Sequence, residues 1–572
     1  MYGVRLTWPL AFAREREPEG GRDMRRLRTE SGAEERIAVA SSRLFHAVFL
    51  LWFSFLFLLT LGKMDRPGQG LLTSLLGTFF ALTMFSLFGK KLEALSDRTM
   101  GACLALAAAA VFAGCLLLGS RMLIEPFNDT GSVYYSVAEI FETGKISKEI
   151  NAYTCCEWAT YSSNHDYFLI YKNSLFMVWY LYRYFWLLAF FCPPGVELSR
   201  FLHGCGAVRL SGPQLAVRDG GDGFWLFDGE KEGRQHGVAG LSCLVCRLFA
   251  LLSHAYKAYS DSLSLPYVTL AVLLYVCAAD EERKRGRLLM ALSGLALAVD
   301  ALLKGSVYIL LIAEAIHLLF QKQRLAKKLA SPGSLLAASM AVVMVCGLCL
   351  AHSPWLDRSN AEELEFPAVH WVMMAAKGSG GYRQEDFDDT ASFPGGEAKK
   401  QADTAEYLRR VRAYGSARGY LTFQANKLAA VLASGQYAQS DHLSLAIRKG
   451  GRLWELVFGS HKALYTTCLA AYSCVFYLAL LAALGAELIR PRRELDMLLN
   501  VCLFGVFLFF SFWEVKSRYL FNYPPLLMMN TVLAWRRLTL LSDRRASARQ
   551  QRLFLCPLSP PARRWRHPER RS

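Results

Sequence analysis

Carboxylates and cations placed just beyond apolar blocks are where this chain could do chemistry. Asp129 stands in Glu-Pro-Phe-Asn-Asp-Thr-Gly, shortly after an apolar block. A carboxylate partly shielded from water holds a proton more tightly than an exposed one, which suits it to act as a general base. The plainer role is an N-cap, because Asp before Thr-Gly-Ser and an apolar helical face is a favoured cap. Asn128-Asp129-Thr130 also spells a glycosylation sequon, but it lies close to the membrane for that use. Asp261, in Ala-Tyr-Ser-Asp-Ser-Leu-Ser-Leu-Pro, opens another apolar block. Two carboxylates at the tops of different helices could share acid–base work or a divalent metal. A solvated Asp at a helix start is the alternative.

The cations offer a complement. Lys172 lies in Tyr-Phe-Leu-Ile-Tyr-Lys-Asn-Ser and Arg518 in Trp-Glu-Val-Lys-Ser-Arg-Tyr-Leu. Both suit a lipid-linked phosphate, which Arg can grip bidentately; each alone also fits an interfacial snorkelling residue. Lys304 is set between apolar runs, where insertion of a charge costs ~2.5–3.5 kcal/mol. Asp300, four residues earlier, can offset that as a structural i,i+4 pair, or Lys304 can meet a ligand. Further on come His370-Trp371, then Gly378-x-Gly380-Gly381-Tyr382, then Asp386, Asp388 and Asp389. His370, Tyr382 and Asp386 are candidates to bind an acceptor or a metal. The glycine-rich turn lacks the strand-turn-helix setting of a nucleotide loop, so the same residues could simply order a loop.

The elements that must position these groups are membrane helices. Of 572 residues, 53% are hydrophobic, 13% aromatic and only 20% charged, below the roughly 25% charged of a soluble protein. This excludes a disordered chain, a secreted disulfide scaffold and a conventional cytosolic enzyme. Apolar blocks fall near 45–62, 70–89, 100–119, 174–192, 263–279, 334–352, 464–486, 496–513 and 519–535, with a weaker one at 238–254. The run 288–320 would be about 50 Å long as one helix, against a hydrocarbon core of ~30 Å. It reads as a hairpin of two short spans broken at Lys304-Gly305-Ser306. Counting the hairpin and the weak block as real puts every short basic cluster on one face. The outcome is an all-α polytopic bundle of about 12 spans with both ends cytoplasmic.

Five regions follow. Residues 1–44 form a cytoplasmic N-terminal segment without a signal peptide's early apolar stretch. Residues 45–352 form a transmembrane catalytic core, with a first outer loop at 120–173 and a polar, Gly-rich linker at 194–235. Then come a second outer loop region at 353–463, C-terminal spans at 464–535 and a basic cytoplasmic tail at 536–572. In the first loop, Val133, Tyr134, Val137, Ile140 and Phe141 fall on one helical face, which predicts an amphipathic helix on the membrane surface. The formal charge of +17 is concentrated in membrane-flanking clusters and the tail. It marks topology and attraction to the bilayer rather than nucleic acid. Most cysteines sit in apolar blocks as small hydrophobes. Cys155 and Cys156, in a polar loop, leave a disulfide open with no partner named.

In the order and common face of these motifs the chain resembles membrane glycosyltransferases of the GT-C fold. The nearer likeness is to bacterial relatives of dolichyl-phosphate-mannose protein mannosyltransferases, including the Rgt-type and aminoarabinose-transferase-like branches. Asn-Asp129-Thr-Gly-Ser-Val-Tyr-Tyr takes the place of the family's catalytic Asp motif. Tyr171-Lys172-Asn173-Ser174 takes the place of its phosphate-contacting Lys motif, without the usual prolines, and Tyr259-Ser260-Asp261 that of a later Asp. The resemblance covers roughly residues 45–535. It implies a multi-pass enzyme of the cell membrane, its active site on the extracytoplasmic side. A sugar would pass with inversion from a polyprenyl phosphate to a glycan, lipid or protein acceptor. Asp129 would be the base, Lys172 and Arg518 would hold the phosphate, and Asp261 would position the acceptor or a divalent metal. No other cofactor is expected. A transporter, flippase or polymerase of lipid-linked saccharides is the rival, but no internal repeat of the transporter kind is visible.

Overall fold

Scattered single positions aside, the computed structural model describes residues 27–93, 126–155, 162–189, 259–279, 283–320, 325–489 and 495–538. Regular structure among these residues is helical, with no strand. Most of the block at 100–119, the block at 238–254, the linker, Cys156 and the tail beyond 538 lie outside them. Among the described residues, six helices are long and apolar enough to cross a bilayer: Arg36–Gly62, Ser260–Ala278, Lys284–Leu303, Ser331–Ala351, Lys462–Ile489 and Leu495–Phe512. The chain is therefore a multi-pass membrane protein. Other expected spans fall on different elements: the helix Pro67–Glu93, the shorter helix Ser174–Ala189, and a last helix over 524–535.

The run 288–320 is broken where the charge count requires. The helix Arg283–Leu303 stops at Lys304, whose backbone is extended (φ −150°, ψ 103°). A 3-10 turn, Gly305–Val307, then reverses the chain into Tyr308–Phe320. Leaving the helix swings the Lys304 side chain away from the face that carries Asp300, so the expected i,i+4 pair does not form. Its ammonium pairs with Asp261 instead.

Packing is tight where helices touch. Phe49 and Phe53 of the first long helix meet Phe507, the rings of Phe53 and Phe507 stacking at 5.1 Å. At Gly294 the helix Arg283–Leu303 crosses Leu325–Ala351 so closely that a Cβ would lie 2.3 Å from the Leu335 carbonyl oxygen. The Ser339 hydroxyl donates to the Gly294 carbonyl at 2.8 Å. Small residues at such crossings let backbones approach, as in other membrane helix pairs. Leu51, Leu58, Met340 and Met344 remain exposed, as the lipid-facing sides of spans should be.

The first-loop helix, Asn128–Thr143, buries Val133, Val137 and Ile140, and the Ser174–Ala189 helix packs on it. Protein thus covers part of the apolar face expected to lie on the membrane. The two segments expected as outer loops are joined: Lys148 pairs with Asp357 at 2.6 Å, the Ile146 amide donates to the Trp355 carbonyl at 2.8 Å, and Lys172 pairs with Glu365.

Candidate active site

Pieces of chain far apart in sequence close around a cavity of about 660 Å³. The starts of the helices Asn128–Thr143 and Ser260–Ala279, the turn Leu303–Ser306 and residues between Phe509 and Tyr519 supply most of its wall. Tyr171, Trp371, Tyr382, Gln384, Ala438 and Asp441 are among the residues that add to it.

Asp129 is not the cap of its helix. Phe127 holds the cap position, with no side-chain cap hydrogen bond, while Asn128 enters the helix at φ +50°, a left-handed conformation that Asn adopts more easily than most residues. Freed from capping, the carboxylate reaches into the cavity. Its Oδ2 accepts from the Tyr259 hydroxyl at 3.1 Å and from Arg518 Nη2 at 3.2 Å.

Arg518 is the bridge. Its guanidinium carbon lies 5.4 Å from the Tyr259 ring centre and 5.5 Å from that of Tyr519, within cation–π range of both. Its Nε is 3.9 Å from Asp261 Oδ2, too long for a hydrogen bond, and this buried N–H has no hydrogen-bond partner. Asp261 is 5% exposed and holds the Lys304 ammonium. Lys304 also donates to Asn522 Oδ1 at 3.3 Å, and Asn522 Nδ2 donates to the Ser264 hydroxyl at 2.6 Å. Asp129, Arg518, Asp261 and Lys304 thus alternate in charge along one line. Removing one member of a buried pair strands its partner, which costs about 3–5 kcal/mol.

Glu514 adds another acid. It lines the cavity, is buried and accepts from the Tyr519 hydroxyl at 2.9 Å. Burial pushes its carboxyl above the usual range, against the opposing pull of Tyr519, Lys516 and Arg518. A divalent metal does not fit between Asp129 and Asp261: a guanidinium lies there, and Asp261 carries an ammonium as well. Among the described residues no group of three or more His, Cys, Asp or Glu side chains is placed to hold a metal ion.

The cavity therefore gathers Asp129, Asp261, Arg518 and Tyr382, with Lys304, and leaves out the other candidates. Lys172 is half-exposed, paired with Glu365 and outside the lining, although its neighbours Tyr171 and Asn173 are in it. His370 is buried; its Nδ1 is 2.8 Å from the Thr390 hydroxyl, which donates to Asp403 at 2.7 Å. Burial lowers the His370 pKa to about 4, so the ring is neutral at pH 7. Asp386 takes two bonds from Arg410, at 2.9 and 2.6 Å. Both residues order their own segment, and Trp371, beside His370, reaches the cavity.

Tyr259, Glu514 and Tyr519 join the site without having been singled out. Tyr259 stands in the Asp261 motif as a residue given no role of its own. Glu514 and Tyr519 flank Arg518 directly after an apolar helix, where a lone acid is itself a signal. Cys155 is buried, and its thiol donates to the Asn128 carbonyl at 3.7 Å.

The model of a family described as conserved hypothetical integral membrane protein matches residues 238–539, more than half of the chain. The chain belongs to this family. Comparison with curated proteins and with solved structures gives no match.

Proposed function

We propose that this integral membrane protein is a glycosyltransferase that moves a sugar from a polyprenyl-phosphate donor to an acceptor on the extracytoplasmic face. The observation that carries the reading is Arg518, seated between Asp129 and Asp261 in one cavity, with a buried N–H left over. A base and a phosphate-binding cation side by side are what glycosyl transfer from a phosphate needs. The wall formed by Leu303, Phe509, Phe510 and Trp513 offers an apolar surface for the first isoprene units. Charge supports that side: Lys284 begins a span whose other end, Leu303, lines the cavity, and basic flanks belong in the cytoplasm.

The chemistry divides among these residues. Arg518 and Lys304 bind the donor phosphate. The phosphate competes with Asp129 for the guanidinium, and what it wins frees a carboxylate lone pair for the acceptor hydroxyl. Asp129 takes that hydroxyl's proton as its oxygen bonds to the anomeric carbon. The bond from that carbon to the phosphate oxygen breaks, and the electron pair leaves with the polyprenyl phosphate, whose growing charge the two cations neutralise. Attack opposite the leaving group inverts the anomeric centre. Asp261 holds Lys304 and Arg518 in place. Lys172 has no part in this scheme, because Glu365 holds its ammonium outside the cavity.

The test is donor binding. Purified protein in nanodiscs is titrated with a radiolabelled polyprenyl-phosphate sugar. Arg518→Gln is expected to weaken binding at least tenfold, the scale of one lost charged hydrogen bond, while Lys172→Gln leaves it within twofold. Equal affinity of wild type and Arg518→Gln removes the phosphate site.

A further inference from the structure

One buried cation lies behind the cavity rather than in it. Lys427, on the non-spanning helix Ala417–Ser434, is 3% exposed. Its ammonium donates to the carbonyls of Ser511 at 2.9 Å, Trp513 at 3.3 Å and Ala375 at 3.4 Å. The first two close the spanning helix Leu495–Phe512, and Ala375 closes the helix Ala368–Met374. Last-turn carbonyls have no partner within their own helix and carry the negative end of its dipole, so one ammonium fastens two helix ends together.

The stem of the same side chain makes a second joint. Gly380, at φ +73°, lies so close that a Cβ there would be 2.0 Å from Lys427 Cδ. The Gly380 carbonyl accepts from the Val515 amide at 2.9 Å. What hangs from these joints is the cavity wall: Trp371 before Ala375, Tyr382 after Gly380, and Trp513, Glu514, Lys516 and Arg518 along the next stretch.

We infer that Lys427 is the positioning residue of this wall, and that the wall lifts more readily when the Lys427 amine carries its third proton than when it does not. The reason is solvation. Among the described residues no carboxylate touches Lys427; the charged group whose field reaches it is Glu514, and the two helix ends present carbonyls only. A charged ammonium gains water when the wall lifts, and a neutral amine gains far less. Burial lowers the Lys427 pKa from 10.5 to about 7, Glu514 opposing, so the change falls in an accessible range. Between those values the lifted state binds more protons than the closed one. Closure therefore strengthens as pH rises above about 7, by up to tenfold per unit, and is flat below it. The inference does not depend on sugar transfer.

Hydrogen exchange of the full chain in nanodiscs tests it, read at the Trp513 and Val515 amides as protection relative to the unstructured rate at each pH. The wild type is expected to be level from pH 6 to 7 and to rise from pH 7 to 9. Lys427→Arg, charged throughout, and Lys427→Met, never charged, are expected to stay level. Arg518, Glu514, Lys516 and Tyr519 remain in both variants, so a rise due to them would persist. A level wild-type profile, which is decisive even if neither variant folds, overturns the inference; so does a rise of wild-type steepness in either variant.

Discussion

At the scale of single residues, neighbours decide which candidates serve the cavity. Asp129 and His370 each looked chemically capable in sequence. One projects into an opening between two donors, and the other is locked behind Thr390. The locked histidine has its own signature. Burial takes its pKa from 6.5 to about 4, so the unfolded chain takes up the proton first. Stability is full above pH 6.5 and falls as pH drops toward 4, by about 3 kcal/mol for this group. Asp403, whose carboxyl burial raises, protonates earlier in the folded state and offsets part of that slope. His370→Gln removes the histidine share, so its melting temperature between pH 7 and 4.5 is expected to fall less steeply than that of the wild type. Parallel slopes would mean that His370 is not buried as a neutral ring.

At the scale of elements, close approach matters more than hydrophobicity. Any residue with a Cβ at 294 meets the Leu335 carbonyl oxygen at 2.3 Å. Gly294→Val should push the helices Arg283–Leu303 and Leu325–Ala351 apart, at about 1–3 kcal/mol for overpacking. Because Leu303 ends the first of these helices and Lys304 comes directly after it, the cavity floor should shift as well. Thermal unfolding in detergent is expected to show Gly294→Val several degrees below wild type, with Gly347→Val, which meets nothing within 4 Å on an exposed face, unchanged. The hairpin break at Lys304 was legible from sequence because length and charge both demanded it. Lys304's partner was not: i,i+4 spacing points to Asp300 only if the helix continues, and it ends one residue short. Nor could spacing reveal that Asp129 is not a cap, since this turns on the backbone of Asn128.

At the scale of the whole molecule, the membrane character and the gathering of Asp129, Asp261 and Arg518 were readable, because motifs beside span ends must meet when those ends share a face. The seating of Lys172 was not, because its partner Glu365 comes from a distant segment and no local pattern couples the two. Nor was the place of Lys427, whose carbonyl partners belong to two other helices. The same long-range closure is what the proposed reaction needs: base from one end of the chain, phosphate site from the other. The most direct measurement is transfer of labelled sugar from a polyprenyl-phosphate donor to an added acceptor, using purified protein in liposomes. Wild type should transfer the sugar, and Asp129→Asn, at equal protein level and saturating donor, should be slower by about 10²–10⁴-fold, the usual share of a general base. Transfer by Asp129→Asn at the wild-type rate, or no transfer by the wild type from any polyprenyl-phosphate sugar supplied, would contradict the account.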